Sequence, residues 1–161
     1  MDTKVTSFTL VEDQFNAYIG DIVYATMTTV DAKGRPRARV LIPIWEVVDG
    51  RPAGWLATYR TPVKAAHLAK NPHVTFSYWT PRQNAVNVDT VAEWIDDAEI
   101  KRRVWTLYRQ GSPHGAGYDL GNFWKSPEDP ELHVLRLTPW RVQVIRGSDL
   151  HSRIWQAEGA A

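Results

Sequence analysis

The sequence predicts a mainly β fold with flanking helices, an α+β chain, on three observations. Short runs rich in β-branched and aromatic residues alternate apolar with polar side chains. Gly, Pro, Asn and Asp punctuate these runs at close intervals, and only a few stretches carry a helical stripe. At 161 residues the chain has the length of a single domain over 1–161, able to bury a core without disulfides or a structural metal.

Residues Thr9 to Tyr18 read as a short helix, with Leu10, Phe15 and Tyr18 apolar and Gly20 beyond as a stop. Ile22 to Thr29 is β-rich, Asp31-Ala32-Lys33-Gly34 turns, and Arg37 to Val48 runs extended, which makes a hairpin. Along its second strand Ala38, Val40, Ile42 and Ile44 share one face, expected to build core, while Arg37, Arg39, Leu41 and Trp45 share the other. Asp49-Gly50-Arg51-Pro52 turns again, and Gly54 to Tyr59 is a third strand. Thr61 then suits an N-cap and Pro62 the first helical position, with Asn71-Pro72 ending that helix. His73 to Trp79 and Gln83 to Val91 are further strands. Asp96 or Asp97 can cap a helix whose Ile100, Val104, Leu107 and Tyr108 lie on one stripe and which ends near Gly111. The Gly- and Pro-bearing stretch 112–130 is expected to pack over the body as a lid or dimer arm. Glu131 to Leu137 and Trp140 to Arg146 close the series as a strand pair broken at Thr138-Pro139.

Composition removes several classes of function. With no cysteine there is no zinc-thiolate site, iron–sulfur cluster or thiol nucleophile. Nineteen Lys and Arg against eighteen Asp and Glu leave a net charge of +1, too balanced for a generic nucleic-acid footprint, so that Tyr59, Tyr78 and Trp79 beside Arg60 and Arg82 are not read as one. The longest apolar run, Val40 to Trp45, is interrupted by Pro43 and falls far short of the roughly 20 residues of a membrane span. Met1-Asp2-Thr3-Lys4 leads into no apolar segment of the kind a signal peptide carries, so the expected location is cytoplasmic. His67 and His73 read as helix-surface and strand-edge residues, His114 and His133 have no assigned role, and no His pair has metal-ligand spacing. No metal is expected. Asp13, Asp96 and Glu99 do not converge, and no serine has a nucleophile-elbow context.

Thr58-Tyr59-Arg60-Thr61-Pro62-Val63-Lys64 is the most informative stretch. A strand ends in hydroxyl and cationic residues and opens onto a helix, where free N–H groups and the helix dipole converge with Thr58, Thr61 and Lys64. A capped helix with a solvated lysine would share this pattern. Arg39 tips the balance, because a forked guanidinium on a neighbouring strand is the usual partner of a phosphate.

These stretches resemble the pyridoxamine 5′-phosphate oxidase-like family of FMN-binding split barrels. Gly34-Arg35-Pro36-Arg37-Ala38-Arg39-Val40-Leu41-Ile42 matches its turn and arginine-bearing strand; Thr58, Lys64, Asn71-Pro72 and His73 to Trp79 follow in the family's order. Arg82-Gln83 matches a pair whose glutamine meets the flavin, Leu137-Thr138-Pro139 through Gly147 keeps the family's spacing, and Leu150-His151-Ser152-Arg153 resembles its closing motif. The likeness runs from about Ile22 to Arg153, the expected core. It implies a six-stranded antiparallel split β-barrel and an FMN site of Arg39, Val40, Leu41, Thr58, Tyr59, Arg60, Thr61 and Lys64, with Gln83 and Arg153. His151 becomes the catalytic candidate. Flavin-dependent hydride exchange with a small molecule or a nicotinamide reductant is the implied activity. Coenzyme F420 in place of FMN, or a non-catalytic flavin carrier, sensor or stress protein, are the alternatives. A homodimer with each flavin held by both chains is also expected, since eight tryptophans exceed what one small barrel buries.

The chain departs from the family at Val63, Ile44 and Leu132, where relatives carry two cations and a stacking tryptophan, leaving Arg60 as a substitute cation. It also carries Asp149 where the substrate-holding arginine stands. Because an acidic group repels a phosphate, pyridoxamine 5′-phosphate is expected to be a poor substrate; efficient conversion to pyridoxal 5′-phosphate in a turnover assay would show this alignment to be wrong.

Overall fold

The structure, a computed structural model, describes residues 1–111 and 118–159. Among the described residues nine strands join in one mixed sheet: β1 (Asp2–Val5), β2 (Ala25–Val30), β3 (Pro36–Leu41), β4 (Ile44–Val48), β5 (Arg51–Thr58), β6 (His73–Trp79), β7 (Ala85–Ile95), β8 (His133–Arg146) and β9 (His151–Gln156). Three helices flank it: α1 (Thr9–Ile22), α2 (Pro62–Lys70) and α3 (Ala98–Gly111). Strand order is β1-β9-β8-β7-β6-β2-β3, with β4 on β5 and β5 on β8. All pairings are antiparallel except β1 with β9. Among the described residues the sheet does not close by hydrogen bonds. It passes from β3 to β4 through the chain itself, at Ile42-Pro43, giving the split-barrel fold with more strands than the six expected. Among the described residues no helix is long and apolar enough to cross a membrane.

β5 is buried along nearly its whole length because it lies between two cores. Its Leu56 enters the barrel with Phe15, Met27, Phe76, Val88 and Leu137, while Trp55 and Ala57 face a second cluster of Val104, Trp105, Tyr108, Trp124 and Val134. Alternation thus sends adjacent side chains into different cores. The described part of the 112–130 stretch, from Tyr118 on, belongs to that second cluster through Leu120 and Trp124; residues 112–117 lie outside the described residues.

Several expectations change. Arg37 to Val48 is two strands: β3 pairs β2, then β4 pairs β5. The face of β3 is inverted, with Val40 62% exposed on the outside and Leu41 packed against the barrel core. The apolar pattern misled because Ala38 and Val40 continue Ile42 and Ile44 in sequence, whereas the chain changes sheet partner between the pairs. Glu131 to Arg146 is not a broken pair. β8 runs through Pro139, with a one-residue bulge at Trp140 between Asp89↔Arg141 and Thr90↔Pro139, where the missing N–H of proline costs no rung. Its first half pairs β5 and its second half β9. α1 continues past Gly20 to Ile22. The tryptophans are largely accommodated in one chain: Trp55, Trp105, Trp124 and Trp155 are buried, Trp45, Trp94 and Trp140 half-buried, and Trp79 exposed.

The split itself has a local cause. The β4/β5 register ends at Ile44↔Trp55, and carried two residues on it would face Ile42 with Ala57. There the Tyr108 hydroxyl of α3 inserts, donating to Ile42 O at 2.6 Å and accepting from Ala57 N at 3.1 Å. Tyr108→Phe removes the hydroxyl and strands two buried backbone groups. It is expected to destabilise the fold by about 1–3 kcal/mol, read as a lower urea midpoint with unchanged slope; wild-type stability would show the wedge to be dispensable.

Candidate functional site

α2 begins with the geometry its sequence requires. Thr61 is extended (φ −63°, ψ 149°) and its Oγ1 accepts from Lys64 N at 3.4 Å, with Pro62 at the first helical position. The first turn therefore points toward the end of β5. Lys64 is only 6% exposed, and its Nζ donates to Thr58 Oγ1 at 2.6 Å and to Tyr59 O at 2.9 Å. Arg39, half-buried on the inner face of β3, donates from Nη1 to the hydroxyl of Thr29 at 2.7 Å. Thr29 Oγ1 also lies 2.9 Å from Nδ1 of His67, one turn beyond Lys64 on α2.

No carboxylate pairs with Arg39 or Lys64 among the described residues. Burial, and then the Arg39 charge, bring the Lys64 ammonium from 10.5 down to about 8. Burial, reinforced by Arg37, also holds the Arg39 guanidinium below its ordinary value. A buried ammonium and a half-buried guanidinium with no carboxylate partner among the described residues are an arrangement that an anion suits, and a phosphate suits a guanidinium fork beside an ammonium at a helix N-terminus.

The other expected residues divide between this cradle and a distant region. Thr58 and Thr61 belong to the cradle. Tyr59 gives it a carbonyl, while its ring packs 4.9 Å from Trp124 and its hydroxyl donates to Phe123 O at 3.1 Å. A cavity of about 540 Å³ opens between Tyr59 and the segment from Phe123 to Glu131. The Arg60 guanidinium lies 5.0 Å over the Trp94 ring. Val40 points outward, and Leu41 inward beneath Arg39.

Gln83, His151 and Arg153 stand elsewhere. Gln83 is exposed in the β6–β7 turn at φ +67°, its Oε1 3.4 Å from Trp79 Nε1. Gly147 locks that turn to the one after β8, since a Cβ there would lie 1.8 Å from Arg82 O. His151 opens β9 with Nε2 3.3 Å from Thr3 Oγ1, and Arg153 donates to Leu10 O and Gln14 Oε1, each at 2.8 Å. Arg146, His151, Arg153 and Gln14 line a second cavity of about 360 Å³. Asp149 binds Arg146 through both oxygens, at 3.0 and 2.6 Å, and this pairing, helped by the His151 N–H, holds its carboxyl well below the usual range. β8 connects the regions: His133 sits opposite Thr58 at one end and Arg146 opposite His151 at the other. Roughly 40 Å of strand path separates those ends.

His67, expected on the helix surface, is instead half-buried against Thr29, which the sequence did not single out, although each left a trace. Lys64 and His67 are spaced i, i+3 on one helix face, and Thr29 closes the inward series Ala25, Met27, Thr29 with a hydroxyl.

Fold and site together define an open, mainly β barrel with an arginine and a lysine set between a strand and a helix N-terminus. Residues 11–146 match the pyridoxamine 5′-phosphate oxidase family, and the chain belongs to it. It is 26% identical over 125 residues to pyridoxine/pyridoxamine 5′-phosphate oxidase 1 of Ralstonia nicotianae, across 77% of this chain and 55% of that protein. To the pyridoxine/pyridoxamine 5′-phosphate oxidase of Pseudomonas entomophila it is 32% identical over 104 residues, 64% of this chain and 43% of that one. The chain thus spans about half the length of these curated relatives. In fold it is similar to a Clostridium acetobutylicum protein related to general stress protein 26, at TM-score 0.68 and 16% identity, over 92% of this chain and 96% of that one. It is also similar to a pyridoxamine 5′-phosphate oxidase-related, FMN-binding protein of Nostoc punctiforme, at TM-score 0.55 and 18% identity, over 86% and 81%.

The Lys64 environment sets a pH dependence. An anion binds the ammonium form, so affinity for a phosphate-bearing ligand should fall as pH rises through about 8. Without ligand the sign reverses. The folded value lies below the unfolded one, so the unfolded chain holds the proton that the fold sheds, and stability should climb between about pH 8 and 10.5. Binding titrations at pH 7 and 9 test the first statement, with Lys64→Arg as the control that should lose the dependence; an identical fall in that variant would assign it to another group.

Proposed function

We propose that this chain is a flavin-dependent oxidoreductase that binds FMN as a homodimer, with the FMN phosphate on Arg39 and Lys64. The observation that carries the reading is the pairing of buried Lys64, at the start of α2, with half-buried Arg39 on β3, neither with a carboxylate partner among the described residues, a counter-charge that a phosphate monoester supplies. Membership in the pyridoxamine 5′-phosphate oxidase family and the fold shared with the FMN-binding Nostoc protein support the choice of flavin. Bound FMN supplies hydride transfer at its ring system. The chain's own part is to anchor the phosphate through Arg39 and Lys64 and to hold their side chains with Thr29 and Thr58.

The dimer is supported by the separation of the two residue sets. His151 pairs with Arg146 at the end of β8 opposite to the one that faces Thr58, Arg153 follows it on β9, Gln83 stands in the turn locked to Gly147 at that same end, and a twofold partner can present its copy of that end. Tyr24, Val40 and Trp79 offer an apolar surface for such a contact. They are 59%, 62% and 57% exposed, and the β2/β6 register carried two residues on sets Tyr24 opposite Trp79. His151 is the proposed proton-exchanging group of the completed site. With the Asp149 carboxylate paired to Arg146, that end is poorly suited to a second phosphate, and the proposed substrate is a small molecule other than pyridoxamine 5′-phosphate.

Purified protein should carry the absorption bands of bound FMN. Replacing both cations, in an Arg39→Ala, Lys64→Ala variant, should weaken FMN binding by at most about 3–6 kcal/mol, at about 1.5–3 kcal/mol per charge-assisted bond. Sedimentation across a dilution series should show FMN favouring the dimer. Equal affinity in the double variant would refute the phosphate site, and a monomer with full FMN affinity would refute the shared one.

A further inference from the structure

We infer that His67 is a positioning residue for the phosphate site, fixing the Arg39 side chain through the hydroxyl of Thr29; the inference rests on the phosphate reading of that site. Two contacts link the residues, Arg39 Nη1 to Thr29 Oγ1 at 2.7 Å and Thr29 Oγ1 to His67 Nδ1 at 2.9 Å. The direction of the first follows from the donor inventory. A guanidinium has only N–H groups to offer, so Arg39 donates and Thr29 Oγ1 accepts. The hydroxyl then has one proton to place, and Nδ1 stands at hydrogen-bond distance to accept it. We assign the hydroxyl proton to Nδ1, which places the ring proton of His67 on Nε2, the tautomer that this tether requires.

Burial gives this short chain of bonds its force. Thr29 is 0% exposed, so its hydroxyl has no solvent to turn to, and losing its acceptor leaves a buried donor unsatisfied. As a β-branched residue it has few rotamers with which to compensate. α2 therefore acts on both phosphate cations. It carries Lys64 directly, and one turn later it carries the group that holds Arg39. The spacing between ammonium and guanidinium is set by how α2 docks on β2, where Leu68, next to His67, enters the barrel core. An arginine already tethered loses less side-chain freedom when a phosphate arrives, so the tether favours ligands that carry the phosphate over those that lack it.

The test compares FMN with riboflavin, which has the same ring system and no phosphate, by measuring both dissociation constants in the full-length protein. Wild type should prefer FMN. His67→Leu should cut that preference about tenfold, the loss typical of one buried hydrogen bond left unmade, with riboflavin affinity unchanged. His67→Asn, whose Oδ1 can stand where Nδ1 stood, should stay within about threefold of wild type. Thr29→Val should lose as much as His67→Leu, and the double variant no more than either, because all three remove one connected unit. The inference is overturned if His67→Leu keeps the wild-type preference or His67→Asn falls as far as His67→Leu. Equal loss of both flavins in His67→Leu and Thr29→Val also overturns it, by making the role purely structural. A wild-type protein that does not prefer FMN over riboflavin refutes the phosphate site itself, and this tether with it.

Discussion

The Tyr108 hydroxyl stands where a rung of the sheet would otherwise be, and much of the architecture follows from that substitution. Ile42 O and Ala57 N are the groups that would pair if β4 continued along β5; the phenol bridges them instead. Pro43, without an N–H, has no bond to lose at the point where the chain turns from one partner strand to the other. Burial pushes the ionisation of Tyr108 far up, so the group stays a neutral donor and acceptor. The wedge lies between the two arms of the cradle. Arg39 sits three residues before Ile42, and Thr58 directly follows Ala57. Opening the sheet at this rung lets β3 swing to β2 with its arginine while β5 ends beneath α2 with its threonine.

A site made of like charges works against the stability of the protein that carries it. Lys64 is buried and Arg39 half-buried with hydroxyl and carbonyl partners only among the described residues, an arrangement that costs the fold and that a bound anion would offset. Apolar packing offsets the cost on both sides of β5, through the barrel core and the cluster built on α3. Local sequence rules fail at the same place. A lysine is rarely buried without a carboxylate, and Lys64 is the departure from a rule that the surrounding strands keep.

The parts of the fold legible in the sequence were those with a short-range cause. The hydroxyl cap, the proline after it and the apolar positions of α2 define that helix without tertiary help, and β6 alternates cleanly enough to be read alone. What escaped depends on partners distant in the chain. β1 is a polar tetrapeptide with no period of its own, held because Asp2–Val5 finds the parallel edge of β9 some 150 residues later. The inversion of β3 could not be read because alternation gives faces only relative to a fixed partner, and the partner changes at Pro43. The tryptophans seemed too many for one chain because the second core, assembled from α3, β5 and the residues after Tyr118, has no signature in any single segment. For the cradle, Arg39, Thr58 and Lys64 were visible as chemistry, whereas Thr29 and His67 became visible only as geometry.

β8 ties the two ends of the molecule into one mechanical element. It pairs with β7 over nearly its whole length, and its other edge passes from β5 to β9 across the bulge at Trp140. The residues at its two ends therefore keep a fixed relation within one chain, and that relation is separation. A cofactor needing groups from both ends cannot obtain them by flexing a strand that is hydrogen-bonded along both edges. It can obtain them from two copies related by a twofold axis, each presenting the opposite end, and the rigidity that parts the groups within one chain would then set their distance across two.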